Sequence, residues 1–137
     1  FLIDPTEKLP YADLYINGVT SIKYWNNTYE LLKDIPLYTY KQSSSWISNA
    51  TFMDGTYVGP NAVVDYQTTV GRSCWISRGS TIGHDCKIEN NVFIGPDVTI
   101  CGSVEIGDGS YIGAKSLIYD NTVLPPNTVM RGVTVWK

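Results

Sequence analysis

Ile82-Gly83-His84-Asp85-Cys86-Lys87-Ile88-Glu89-Asn90-Asn91-Val92-Phe93-Ile94-Gly95-Pro96-Asp97-Val98-Thr99-Ile100 has an isoleucine at every sixth place. Four places after each isoleucine comes a small or β-branched residue. The count extends both ways. The large series runs Trp46, Phe52, Val58, Val64, Val70, Ile76, Ile82, Ile88, Ile94, Ile100, Ile106, Ile112, Ile118, Leu124, Met130, and every member is apolar. The small series runs Ala50, Thr56, Ala62, Thr68, Cys74, Ser80, Cys86, Val92, Val98, Val104, Ser110, Ser116, Thr122, Thr128, Thr134. A period of six is neither the 3.6 of a helix nor the two of a simple strand. It fits a short strand and a corner, repeated, with the large residue pointing into a narrow interior and the small one filling the space beside it. Glycine or asparagine near the corner relaxes the turn. Three hexapeptides close a triangular coil, so residues 18 apart stack on neighbouring coils. Fifteen hexapeptides make about five coils, roughly 24 Å tall at about 4.8 Å per strand. A sandwich of alternating strands is the competing reading, but it needs no gap-free register over so many units.

The rest of the composition narrows the class. The chain has 137 residues, enough for one compact domain. Its 43% apolar and 17% charged content suits a globular protein. A net charge of −3 argues against nucleic acid or an acidic membrane as partner. No apolar run approaches the roughly 18 residues that span a bilayer. The three cysteines, Cys74, Cys86 and Cys101, lack short paired spacing and suit free thiols in a reducing cytoplasm. The chain opens on Phe1 rather than methionine, so it is expected to be part of a longer or processed polypeptide.

Residues 1–45 stand outside the repeat and read as a short, partial α/β segment. Leu14-Tyr15-Ile16 is a candidate strand ending at Asn17-Gly18. Asn26 or Asn27 is a candidate cap for a helix through Leu31, Leu32 and Ile35, stopped before Pro36. Lys41-Gln42-Ser43-Ser44-Ser45 reads as a linker. Residues 46–137 then form the β-helix domain.

His84 is the single histidine. That rules out a multi-histidine metal site within one chain, and no metal ligands are assigned. The register turns Ile82 and Cys86 inward and leaves His84 and Asp85 outward at a corner. Tyr66 and Gly102 stack on His84 from the coils on either side. Glycine beside an exposed imidazole is expected to leave a recess with an accessible N–H, where a carbonyl oxygen can sit. An imidazole suits a general base at neutral pH, and a neighbouring carboxylate favours its protonated form. A solvated histidine with no role satisfies the spacing equally well.

Ser80-Thr81-Ile82-Gly83-His84-Asp85-Cys86-Lys87-Ile88, with Val92-Phe93-Ile94-Gly95-Pro96 and Ile100-Cys101-Gly102 after it, resembles the hexapeptide-repeat acetyltransferases that act on sialic acids and nucleotide-linked amino sugars. The resemblance covers residues 46–135. It implies a left-handed parallel β-helix, acetyl-CoA as co-substrate, and a sugar or nucleotide-sugar acceptor. It also implies His84 as general base and Asp85 as the acid that tunes it. Gly102 is implied as the amide donor near the thioester, with Ala114 and Gly132 as further acetyl-CoA contacts. Phe93 stands where the family commonly has a histidine that contacts CoA, and Ile76-Ser77-Arg78 stands where it has an asparagine. Tyr15-Ile16-Asn17-Gly18-Val19 and the helix after it resemble the end of the family's sugar-nucleotide-binding domain. Because CoA is long and one prism wall is shallow, a homotrimer holding acetyl-CoA between neighbours is expected.

Other residues attract weaker readings. Cys101 lacks a second histidine to activate it, and Cys74 and Cys86 read as packing. Arg72 and Arg78 read as solvated charge. Lys115 and Arg131 flank the proposed CoA groove. On the same fold, a carbonic-anhydrase-like zinc enzyme requires three histidines. A non-catalytic scaffold remains the other alternative, although an ice-binding face would need regular outward threonine ranks.

Overall fold

The computed structural model describes residue 21 and residues 24–137. Among these described residues one helix, α1 (Trp25–Leu32), precedes seventeen two-residue strands. Each strand pairs in parallel with the strands three places before and after it, giving three sheets. The first contains β1 (Tyr40–Lys41), β4 (Tyr57–Val58), β7 (Trp75–Ile76), β10 (Phe93–Ile94), β13 (Tyr111–Ile112) and β16 (Val129–Met130). The second contains β2 (Trp46–Ile47), β5 (Val63–Val64), β8 (Thr81–Ile82), β11 (Thr99–Ile100), β14 (Leu117–Ile118) and β17 (Val135–Trp136). The third contains β3 (Thr51–Phe52), β6 (Thr69–Val70), β9 (Lys87–Ile88), β12 (Glu105–Ile106) and β15 (Val123–Leu124). The fold is an all-β, left-handed parallel β-helix of about five triangular coils.

The hexad sets both the core and the corners. From Val58 to Met130 every member of the large series is at most 2% exposed. Three buried hydroxyls of the small series bond a carbonyl fifteen residues on. Thr56 donates to Gly71, Thr68 to Gly83 and Ser80 to Gly95, at 3.0, 2.7 and 2.8 Å. No polar atom of theirs is thereby stranded. Cys74 and Cys86 take the same place, each thiol pointing at the carbonyl fifteen residues on at 3.1 Å. Each corner turns on one left-handed residue, every sixth position from Asn49 (φ 46°) to Val133 (φ 61°). Asparagine, aspartate and glycine fill most of these places, because they tolerate that conformation best.

The first coil departs from the expected register. Trp46 is 55% exposed, and it is Ile47 that pairs with Val64 and turns toward the core. Ile47 to Phe52 is a step of five residues rather than six, and upstream of it a one-residue slip exchanges the inner and outer faces. Lys41 lies in β1, not in a linker, and its ammonium sits 4.0 Å from the centre of the Phe52 ring at the open end of the prism.

Helix α1 starts after Tyr24, which holds the N-cap position without a side-chain capping hydrogen bond, and Asn26 and Asn27 lie inside the helix rather than capping it. Trp25 is 1% exposed; its indole N–H donates to the Asn91 carbonyl at 2.7 Å and its ring meets Phe93 edge-on. Asn26 accepts a hydrogen bond from the Asn91 side chain at 2.7 Å. Past the helix, the Arg72 guanidinium donates to the carbonyls of Lys33 and Ile35. Arg72 is therefore a clamp on the segment after α1 rather than a solvated charge. The strand read at Leu14-Tyr15-Ile16 and the turn at Asn17-Gly18 lie outside the described residues.

Candidate active site

Tyr66, His84, Gly102 and Asp120 form one column on the edge where the second sheet turns into the third. Backbone bonds lock the column: Asp85 N–H to Tyr66 C=O at 2.9 Å, Ser103 N–H to His84 C=O at 2.9 Å, and Asn121 N–H to Gly102 C=O at 3.1 Å. Asp85 is the left-handed residue of its corner, with φ 56°. Its Oδ2 lies 2.7 Å from His84 Nδ1. An ionised carboxylate only accepts hydrogen bonds, so Nδ1 carries the hydrogen and the neutral ring keeps its lone pair on Nε2. Both side chains reach solvent, His84 at 60% and Asp85 at 48%.

The space beside Gly102 is not an open recess, because the imidazole lies over it. A Cβ on residue 102 would fall 2.7 Å from both Cε1 and Nε2 of His84. Glycine is needed here for clearance, not for backbone freedom, since its φ is outside the left-handed range. Among the described residues the Gly102 N–H donates to no acceptor. One edge thus presents an oriented imidazole, a free nitrogen on it, and an unused amide donor one coil away. Such a set can take a proton from a nucleophile and hold an oxyanion.

Ala114 and Gly132 stack on each other, with Val133 N–H donating to Ala114 C=O at 2.8 Å. They belong to a different edge, where the first sheet turns into the second. The structure therefore does not bring them to His84 within one chain; the second sheet separates the two columns. Lys115 and Arg131 are exposed on that same edge. Phe93 is not at the site either. It is 5% exposed on the first sheet, stacked on Tyr111 at 4.4 Å and covered by Trp25. A position implied to touch CoA here anchors α1. Burial pushes the Cys74 thiol up to about 12 and raises that of Cys86, so neither serves as a nucleophile. Cys101 is half-buried and free. Among the described residues no cluster of three His, Cys, Asp or Glu is gathered for a metal. A cavity of about 390 Å³ lies between α1 and the corner residues Asn90 and Asp108, and His84 does not line it.

Residues 67–102 and 85–120 match the family described as bacterial transferase hexapeptide (six repeats). Solved structures superpose on most of the chain. The acetyltransferase domain of PglB from Neisseria gonorrhoeae FA1090 is 22% identical, with a TM-score of 0.74 over 84% of this chain and 56% of that one. WeeI from Acinetobacter baumannii AYE is 15% identical, with a TM-score of 0.70 over 96% of this chain and 68% of that one. A mutant perosamine N-acetyltransferase from Caulobacter crescentus, in complex with CoA and GDP-perosamine, is 17% identical, with a TM-score of 0.59 over 80% of this chain and 57% of that one. The chain thus spans little more than half the length of two of these three. No curated protein matches it by sequence. At such identities the likeness speaks for the hexapeptide-repeat fold.

Proposed function

We propose that the chain is an acyltransferase that moves the acetyl group of acetyl-CoA to an amino or hydroxyl group of a sugar, a nucleotide-linked amino sugar before others. The observation that carries this reading is the His84 ring, bonded through Nδ1 to Asp85 and laid over Gly102 with Nε2 free. His84 Nε2 takes the proton as the acceptor nitrogen or oxygen attacks the thioester carbonyl. The Gly102 N–H receives the oxyanion that forms. The oxyanion then collapses, the C–S bond breaks, and the leaving sulfur takes the proton back from His84. The products are the acetylated sugar and free CoA thiol. Asp85 holds the ring and offsets its positive charge while the proton is in transit. Support for the acceptor class comes from relatives of this fold, one of which is solved with CoA and GDP-perosamine.

Ala114 and Gly132 fit an acetyl-CoA contact through their small size, which leaves backbone exposed along their edge. A cofactor touching both that edge and the His84 edge needs two chains. We therefore read the active assembly as a C3 homotrimer, with His84, Asp85 and Gly102 from one chain facing Ala114 and Gly132 of its neighbour. Among the described residues no helix is long and apolar enough to cross a membrane, and a cytoplasmic setting, where acetyl-CoA is made, agrees with the free thiols.

His84→Ala tests the mechanism. Turnover is expected to fall about 10²–10⁴-fold, the usual worth of a positioned base. Acetyl-CoA at 100 times its Kd is expected to stabilise wild type and variant alike, by about 2.7 kcal/mol. Near-wild-type turnover in the variant contradicts the assignment of the base. No stabilisation of either protein points to a scaffold instead.

A further inference from the structure

We infer that Tyr66 is the platform on which the acceptor's pyranose ring rests, one coil to the amino-terminal side of His84. The inference deepens the acetyltransferase reading and rests on it. Tyr66 and His84 occupy one column, joined through the Asp85 N–H bond to the Tyr66 carbonyl. Stacked strands are about 4.8 Å apart, so the phenol begins within one sugar ring's width of the base. Every position assigned to acetyl-CoA, namely Gly102, Ala114 and Gly132, lies on coils to the carboxyl-terminal side of His84. The donor takes that side, which leaves the Tyr66 side for the acceptor.

The local chemistry suits the role. Tyr66 is 47% exposed, a large aromatic held at a corner in solvent. Its backbone is pinned from both directions, the N–H donating to Asp65 Oδ1 at 2.7 Å and the carbonyl accepting from Asp85. The aromatic on the first sheet's Tyr57 stacks on Trp75 at 4.0 Å, whereas Tyr66 stacks on no ring among the described residues. An unoccupied aromatic ring on a fixed backbone beside a base is complementary to the apolar C–H face of a pyranose. An open-chain hydroxy amino acid has no such face to offer.

The test measures steady-state acetyl transfer by wild type, Tyr66→Ala and Tyr66→Phe. The acceptors are a set of UDP- and GDP-linked amino sugars, with L-serine as the open-chain comparison. Tyr66→Ala is expected to raise the sugar KM about tenfold, while leaving the acetyl-CoA KM in place. Tyr66→Phe keeps the ring and is expected to restore most of the sugar affinity. An unchanged sugar KM in Tyr66→Ala, or an equal loss in Tyr66→Phe, overturns the platform while leaving the acetyltransferase reading intact. Wild type that binds acetyl-CoA but acetylates only L-serine, or nothing in the set, overturns the sugar reading and the platform with it.

Discussion

Gly102→Ala is the sharpest probe of the site, because it adds one methyl group where the structure has no room for it. The new Cβ would lie 2.7 Å from His84 Cε1 and Nε2. Carbon contacts are comfortable at about 3.5–4.0 Å, so the overlap is about 1 Å. Something must move. The backbone at residue 102 is bonded to the coil beyond through Asn121, whereas the imidazole is 60% exposed and free to swing outward. Swinging takes Nδ1 away from Asp85 and Nε2 away from the Gly102 amide. A displacement of about 1 Å at a reacting group costs about 100-fold in rate. Turnover is therefore expected to fall about 100-fold, equivalent to about 2.7 kcal/mol of barrier. Stability should hardly change, since residue 102 is outside the left-handed region and the ring relieves the clash. Two assays read this. Release of CoA thiol gives the rate. The chain has a single histidine, so one imidazole Cε1–H resonance reports the ring directly, without any acceptor. That resonance is expected to move. A variant with wild-type turnover and an unmoved His84 resonance refutes the claim that clearance above Gly102 holds the base in place.

Asp85→Asn should cost less turnover than His84→Ala, because the carboxamide oxygen still accepts from Nδ1; its melting temperature should hold, since asparagine suits φ 56°. Equal losses in the two variants contradict this division of labour. Cys74 stays neutral in the fold up to about 12, against an ordinary value of 9.0. The folded state therefore holds a proton that the unfolded chain loses, and stability should decline between about pH 9 and 12. Cys74→Ser, which matches Ser80 and Ser110 in the same series, should flatten that decline in alkaline denaturation curves; an unchanged slope rules the thiol out as its source. Sedimentation at micromolar concentration should give a trimer, and a fully active monomer sinks the two-chain site.

Much of this architecture was legible in the chain because a solenoid makes long-range structure periodic. Contacts fall between residues i and i+18, so one hexad count predicts burial, corner and neighbour together. Val58 to Met130 could be turned inward by counting alone. The stacking of His84 on Gly102 followed from the same arithmetic. So did the roles of Cys74 and Cys86 as packing thiols. The fit of the ring into the space over Gly102 did not follow, since arithmetic places backbones and says nothing of where a side chain leans.

The failures cluster where periodicity ends. Trp46 is apolar and sits on the count, yet a five-residue step between Ile47 and Phe52 turns it outward; composition tolerates either face, and only strand pairing chooses. Phe93 looked like a substituted ligand position until Trp25 closed over it from a helix that no repeat predicts. Arg72 reads as a surface charge, and becomes a clamp because the carbonyls of Lys33 and Ile35 arrive from nearly forty residues upstream. The hexad determined which residues point in, because that depends on a local period and burial. Which outward residues meet a partner depends on a non-repeating segment docking on the prism, and that is decided only in three dimensions.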